Sequence, residues 1–415
     1  MNSDQSPTPD SHAPLPRSAG AAPLPRSADT APLPLEGITV VALEQAVAAP
    51  LATRHLADLG ARVIKVERVG EGDFARQYDS AVRGGAGSHF VWLNRGKESV
   101  ELDLKSDAGR DAIKTLIAGA DVFLQNLAPG AAARLGLGAD VLRADHPELI
   151  VIDMSGYGDA GPYRDRKAYD MLVQAETGLI SVTGTPEDMT KTGIPSSDIA
   201  AGMYALTSVL SALFRRATTG VGARVSVSMF DATVEWMGHP MYMRLYGGRQ
   251  IARVGLGHAA IVPYDKYPTQ DGTILIGVQN DRGWDTLTRV VLERPDLAED
   301  ARYKTNIERV SRRAEVDAII AAETKRFTTD ELDRRLADAG VPAAEIRDLE
   351  AVVEHPQLSE RDRWRDVDTE VGPIKAVLPP MTFDDVELAM GAVPALGEHT
   401  DAVLREFGIG TDEQP

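Results

Sequence analysis

From Ile38 onward, short unbroken apolar runs alternate with stretches of helical period. ITVVAL (38–43), RVIKVE (62–67), SVELDL (99–104), VFLQN (122–126) and LIVIDM (149–154) read as strands. Most carry apolar residues at consecutive positions, the pattern of a strand buried on both faces of a parallel sheet. Between them, VAAPLATRHLADLG (47–60) reads as a helix closed by Gly60. Ser106 opens another helix, with Ala112, Ile113, Leu116 and Ile117 along one face. A short helix is expected around 138–145. This alternation predicts a doubly wound parallel sheet, an α/β domain of Rossmann-like type.

Asp198 suits the N-cap of a helix over 199–216, in which Ala200, Ala201, Gly202 and Ala205 permit close packing. Ser and Thr interrupt its apolar run, so it is not expected to cross a membrane. Residues 218–229 read as a glycine turn and an alternating strand, and 230–248 as helix. Beyond Ala260 the character changes: YDKYPTQDGTILIGVQN predicts a hairpin, followed by helices ending at Gly340. The expected organisation is a large domain over 35–225, a linker over 226–259, a smaller α+β domain over 260–345, and a return segment over 346–415 that completes the large domain.

The first 34 residues repeat APLP three times and carry too little apolar surface to offset their ordering entropy, so a disordered tail is expected there. They lack the apolar core of a signal peptide, and the protein is expected in the cytoplasm. A formal net charge of −18 argues against a nucleic acid or an anionic membrane as partner. The absence of cysteine excludes disulfides, thiolate catalysis and Cys-based zinc sites. Eight scattered histidines form no HxH or HExxH pair, so no metal is expected. No G-x-G-x-x-G follows the first strand, which leaves a dinucleotide cofactor unsupported.

Ligands of open α/β sheets bind beyond the carboxyl ends of the strands. The richest such stretch is SGYGDAGPY (155–163), followed by RKAYDMLVQAETG (166–178). By position alone, Asp170 reads as a helix cap or a partner of the helix dipole, set where a ligand would bind. Gly156, Tyr157 and Gly158, and further on Gly255, Gly257 and His258, form loops whose amides can approach a substrate oxyanion closely. Gln45, Tyr157, Tyr264 and His258 are candidates for recognising a substrate carboxylate. Arg68, Lys97, Lys105 and Arg134 follow or lie between strands and are candidates for holding phosphates.

The AYD…VQA..G pattern, with the strand-end motifs, resembles the family III CoA transferases, a group that includes formyl-CoA and carnitine CoA transferases and the α-methylacyl-CoA racemases. The resemblance runs from about Leu35 to about Gly408. It implies that Asp170 is the catalytic carboxylate, passing through a mixed anhydride and an aspartyl-CoA thioester. It also implies that CoA is held by Val47 and Ala48, by Arg68, by Leu102, Asp103, Leu104 and Lys105, by Asn126, Leu127 and Ala128 with Arg134, and by Gly156, Tyr157 and Gly158. A CoA thioester is then a substrate rather than a resident cofactor, its partner is a carboxylic acid, and the chain works as an interlaced homodimer. Two departures set it apart from formyl-CoA transferases: Val47 stands where they have Gln, and GLGH (255–258) replaces a longer glycine run. The features of 47–49 and 255–264 resemble the branch acting on small dicarboxylates such as succinate or mesaconate, with transfer within one acid or between two. A racemase would need a histidine in the helix before the fifth strand, where this chain has only His146 at the end of GADVLRAD. A non-catalytic CoA-binding scaffold is the remaining alternative.

Overall fold

The computed structural model describes residues 31–410. They divide into two compact units: 31–168 with 197–232 and 365–410, and 169–196 with 233–364. Sequence boundaries were expected at 225, 259 and 345. Packing instead takes 169–196 into the second unit, where Gly255 N–H donates to Gly184 O (2.9 Å) and Arg253 Nε to Thr185 O (2.8 Å).

The first unit is built on a parallel six-stranded sheet of β1 (Thr39–Leu43), β2 (Arg62–Glu67), β3 (Lys97–Glu101), β4 (Val122–Gln125), β5 (Ile150–Ser155) and β6 (Arg224–Ser228), in the order β3-β2-β1-β4-β5-β6. The order reverses between β1 and β4, which opens a crevice at their carboxyl ends. Side chains of each strand alternate between two cores. Val40, Ala42, Val122, Leu124, Ile150 and Ile152 pack on one face, where Ala200, Ala201, Ala205 and Val209 of the helix Ser196–Thr219 join them. Val41, Phe123 and Val151 pack on the other, against Ile113, Leu116, Ile117, Val403 and Leu404. Continuous apolar runs therefore form strands here because helices cover both faces.

Three local expectations shift. The helix Ser196–Thr219 starts three residues before the expected 199, so Asp198 lies inside its first turn rather than capping it. The APLP repeats at 13–16 and 22–25 lie outside the described residues, but Leu33 of the third is buried: it packs over Gly60, and Leu35 N–H donates to Leu59 O (2.9 Å). Strand β3 ends at Glu101, so 102–105 is a turn. Gly60 (φ +100°) stands just past the helix Ala48–Asp58, as expected of a residue beyond a C-cap.

In the second unit, β7 (Tyr264–Pro268) and β8 (Thr273–Gly277) form the antiparallel hairpin, with β9 (Ala343–Ala344) beside β8. Tyr267, Ile276, Trp284, Ile320, Leu332 and Leu336 fill its core. Gly340 (φ +68°) ends the helix Thr329–Ala339.

Candidate active site

In the first unit, the loops after β1, β2, β3, β4 and β5 all leave the same edge of the sheet, and every residue expected to hold CoA lies on one of them or just beyond. The turn after β1 is held from two sides. Asn126, after β4, accepts from Gln45 N–H with Oδ1 (2.9 Å) and donates to Gln45 O with Nδ2 (2.9 Å). Asp73 Oδ1 accepts from Ala46 N–H (3.1 Å). These bonds hold Ala46 at φ +65°, a conformation a non-glycine residue seldom adopts. Asn126 thus spans the β1/β4 crevice by clamping the opposite turn.

Val47 and Ala48 are buried, with Val47 packed beside Leu51 and Leu93, so what they can offer a ligand is backbone. Leu102 is likewise buried in the core, its N–H donating to Glu67 O (3.0 Å). Asp103, Leu104 and Lys105 form a turn braced by Arg110, whose Nη1 donates to the carbonyls of Leu104 (3.2 Å) and Lys105 (2.6 Å). Lys105 and Arg134 are exposed, as is Arg68, which pairs with Glu71 (3.2 Å). That exposed pair is worth little and a ligand anion can displace it. Leu127 N–H donates to Gln125 Oε1 (2.8 Å), while Ala128 stays exposed. A side chain at Gly156 would run into Ala168, so only glycine fits there. Gly158 (φ +89°) donates its N–H to Ser155 Oγ (3.0 Å), and Tyr157 stands edge-on to Tyr163.

Lys97 does not belong with the phosphate-holding groups. It is fully enclosed, its Nζ donating to Glu44 Oε1 (2.7 Å), Asn94 Oδ1 (2.9 Å) and Pro50 O (3.1 Å). It joins a buried charge network that sequence reasoning missed. Lys65 Nζ bonds Asp73 Oδ2 (2.8 Å) and approaches Glu44 Oε1 (3.4 Å). Glu67 accepts from Arg76 (2.8 Å), Ser99 Oγ (2.7 Å) and Asp73 N–H (2.9 Å). Burial alone would raise the Glu67 pKa, but the Arg76 hydrogen bond and the Lys65 charge outweigh it and hold the carboxyl down to about 2. The sequence signal was Lys65 itself: a charge inside a strand buried on both faces must be paired.

In the second unit, Asp170 is the first residue of the helix Asp170–Glu176 and follows Tyr169 in extended conformation. Its Oδ2 accepts from Gln174 Nε2 at 2.6 Å. Gln174 is completely buried, and its Oε1 accepts from Thr192 N–H (3.1 Å). His258 stacks on Tyr264 (5.4 Å), and its Nδ1 accepts from Ala260 N–H (3.1 Å), which puts the ring proton of the neutral form on Nε2. Partial burial, with His239 and Arg313 nearby, lowers its pKa and favours that neutral form. Gly255 and Gly257 are not open oxyanion donors here: their N–H groups donate to Gly184 O (2.9 Å) and Val254 O (3.0 Å). A side chain at Gly257 would approach Asp265 Oδ2 to 2.7 Å, so that carboxylate would have to turn aside to admit one.

His146, the histidine a racemase would call on, follows the helix Ala139–Asp145 and precedes β5. It lies at the amino edge of the sheet, about 20 Å (six residues at ~3.3 Å) from the edge where the ligand loops emerge. Among the described residues no cluster of His, Asp and Glu is arranged to hold a metal.

A family model described as CoA-transferase family III matches residues 35–400. An acyl-CoA transferase of Fusarium pseudograminearum is 36% identical, over 91% of this chain and 86% of its own. The human succinyl-CoA:glutarate CoA-transferase is 32% identical, over 90% and 85%. A crystal structure of a CaiB/BaiF family protein from Brucella suis superposes with a TM-score of 0.79 at 34% identity, over 90% of this chain and 99% of its own. A match of this length, kept at this identity and in this fold, makes the chain an enzyme of CoA-transferase family III.

Proposed function

We propose that the enzyme moves CoA from a small acyl-CoA, succinyl-CoA in the first instance, to a dicarboxylic acid such as glutarate, with Asp170 as nucleophile. The observation that carries this reading is the Asp170 carboxylate, placed at the start of a helix and held at 2.6 Å by Gln174 within the AYD…VQA pattern. The acids are suggested by the human relative, whose name specifies succinyl-CoA and glutarate.

The steps balance as follows. An Asp170 oxygen attacks the thioester carbonyl and expels CoA thiolate, leaving an aspartyl–acyl anhydride. The thiolate attacks the aspartyl carbonyl, releasing the donor acid and forming an aspartyl-CoA thioester. The acceptor carboxylate attacks that thioester, forming a second anhydride and expelling the thiolate again. The thiolate then attacks the acceptor's acyl carbonyl, which yields the new acyl-CoA and restores Asp170. In this scheme the turns at 45–48, 102–105, 126–128 and 156–158 hold CoA mainly through backbone groups, and Arg68, Lys105 and Arg134 meet its phosphates. That local gathering of cations is what a chain of net charge −18 needs to hold a polyanion.

The same reading includes a homodimer. Tyr242 (63% exposed), Leu245 (64%) and Tyr246 (83%) stand exposed together on and just after the helix Gly238–Leu245, an apolar cluster of the kind that marks an interaction surface. Light scattering should give about twice the 44.6 kDa chain mass, and a monomer at micromolar concentration would refute the dimer.

The test of function is steady-state kinetics with succinyl-CoA and glutarate. Wild type should give the parallel double-reciprocal lines of a ping-pong exchange, and Asp170→Ala should lose at least 1,000-fold in kcat while still folding, on the order of a lost covalent nucleophile. A folded, active Asp170→Ala would remove the nucleophile from the scheme.

A further inference from the structure

The bond from Gln174 to Asp170 does more than orient a side chain. Gln174 lies four residues after Asp170, on the same face of one helix, and is completely buried. A buried amide must satisfy both of its ends. Which end is which follows from Thr192. Its backbone N–H can only donate, so the amide atom 3.1 Å away is the oxygen. The Thr192 hydroxyl, also within reach at 3.2 Å, has a closer acceptor in Ile194 O at 2.8 Å and is not needed for the assignment. The opposite end of Gln174 is therefore the NH2 group, and it donates to Asp170 Oδ2.

We infer that Gln174 Nε2 is the oxyanion donor for every step in which the aspartyl carbonyl itself is attacked, with Thr192 as the positioning residue that fixes its amide. This rests on Asp170 being the nucleophile. If Oδ1 attacks the acyl-CoA, Oδ1 becomes the bridging oxygen of the anhydride and Oδ2 the aspartyl carbonyl oxygen. When CoA thiolate adds to Cγ, the C=O electron pair moves onto Oδ2, beside the Gln174 N–H. Collapse re-forms that carbonyl and expels the donor acid with Oδ1. The acceptor acid repeats the sequence on the aspartyl thioester and expels thiolate. In both additions negative charge develops on Oδ2, where the Gln174 donor is already in place, which is the preorganisation that lowers such barriers. The first and last steps, in which a substrate carbonyl is attacked, place charge elsewhere and do not use this bond.

The test compares Gln174→Met, similar in size without a donor, and Gln174→Glu with wild type on succinyl-CoA and glutarate, with folding checked by circular dichroism. Gln174→Met should lose about 100-fold in kcat, the usual cost of one oxyanion donor, with KM for succinyl-CoA within about threefold. Gln174→Glu should be poor at neutral pH and recover as pH falls, because only a protonated Glu can donate to Oδ2. In rapid-quench mass spectra, aspartyl adducts on Asp170 should build up in Gln174→Met relative to wild type, since the impaired steps are the ones that consume them. A folded Gln174→Met with wild-type kcat and adduct level overturns the inference while leaving Asp170 as nucleophile. If Gln174→Met does not fold, Gln174→Glu decides alone: loss without recovery at low pH overturns it. Wild type that forms no Asp170 adduct overturns both readings.

Discussion

Glu67 shows how single residues in this protein are set by their partners. Arg76, Ser99 and the Asp73 amide converge on its carboxylate, and Lys65 adds its charge. Its pKa, about 2 when folded, lies below the 4.5 of an unperturbed Glu. The folded state therefore binds the proton less readily than the unfolded chain. The stabilisation, about 3 kcal/mol, is fully present above pH ~4.5 and is lost as pH falls toward ~2. Urea titrations of wild type from pH 5 to 3 should show this decline, and Glu67→Gln should start less stable and decline less steeply. Parallel curves for the two proteins would contradict the assignment. At this scale the sequence was least legible. The pattern singled out Asp170 but not its hydrogen-bond partner Gln174 four residues on, although i,i+4 spacing on a helix was there to read. Lys97 was misplaced because a strand-end lysine reads as solvated unless its acidic partner, 53 residues away, is known. Gly255 and Gly257 looked like oxyanion donors because their sequence does not reveal that Gly184 and Val254 already accept their amides.

At the scale of elements the pattern was far more informative. Runs such as VVAL and LIVI have no polar face, so they fit between two helical layers, and that requirement fixes the sheet's class. The small residues of the helix Ser196–Thr219 meant what they suggested. A side chain at Gly202 would come within 2.6 Å of Ala48 O, so this helix and Ala48–Asp58 approach backbone to backbone there. Gly202→Ala gains about 1 kcal/mol of helix propensity. It must also push apart a backbone that cannot rotate away, at a cost of about 1–3 kcal/mol. We expect net destabilisation, read as a lower urea midpoint at unchanged slope. A stabilised variant would show that the two helices pack less closely. Sequence could not give the element boundaries: the two-residue advance of that helix past Asp198, and the turn at 102–105, depend on caps and contacts supplied by distant segments.

For the molecule as a whole, family membership accounts for CoA-transfer chemistry, and the proposed CoA site is the single edge to which the parallel sheet delivers the loops after β1 to β5. In the proposed scheme Asp170 supplies the carboxylate that chemistry needs. The most direct test of this account is to mix the protein with succinyl-CoA, trap with hydroxylamine or borohydride, and map the product by peptide mass. The account predicts a hydroxamate or a reduced side chain on Asp170, dependent on succinyl-CoA and absent from Asp170→Ala. Turnover with no modification at Asp170, or with modification at another carboxylate, would contradict it.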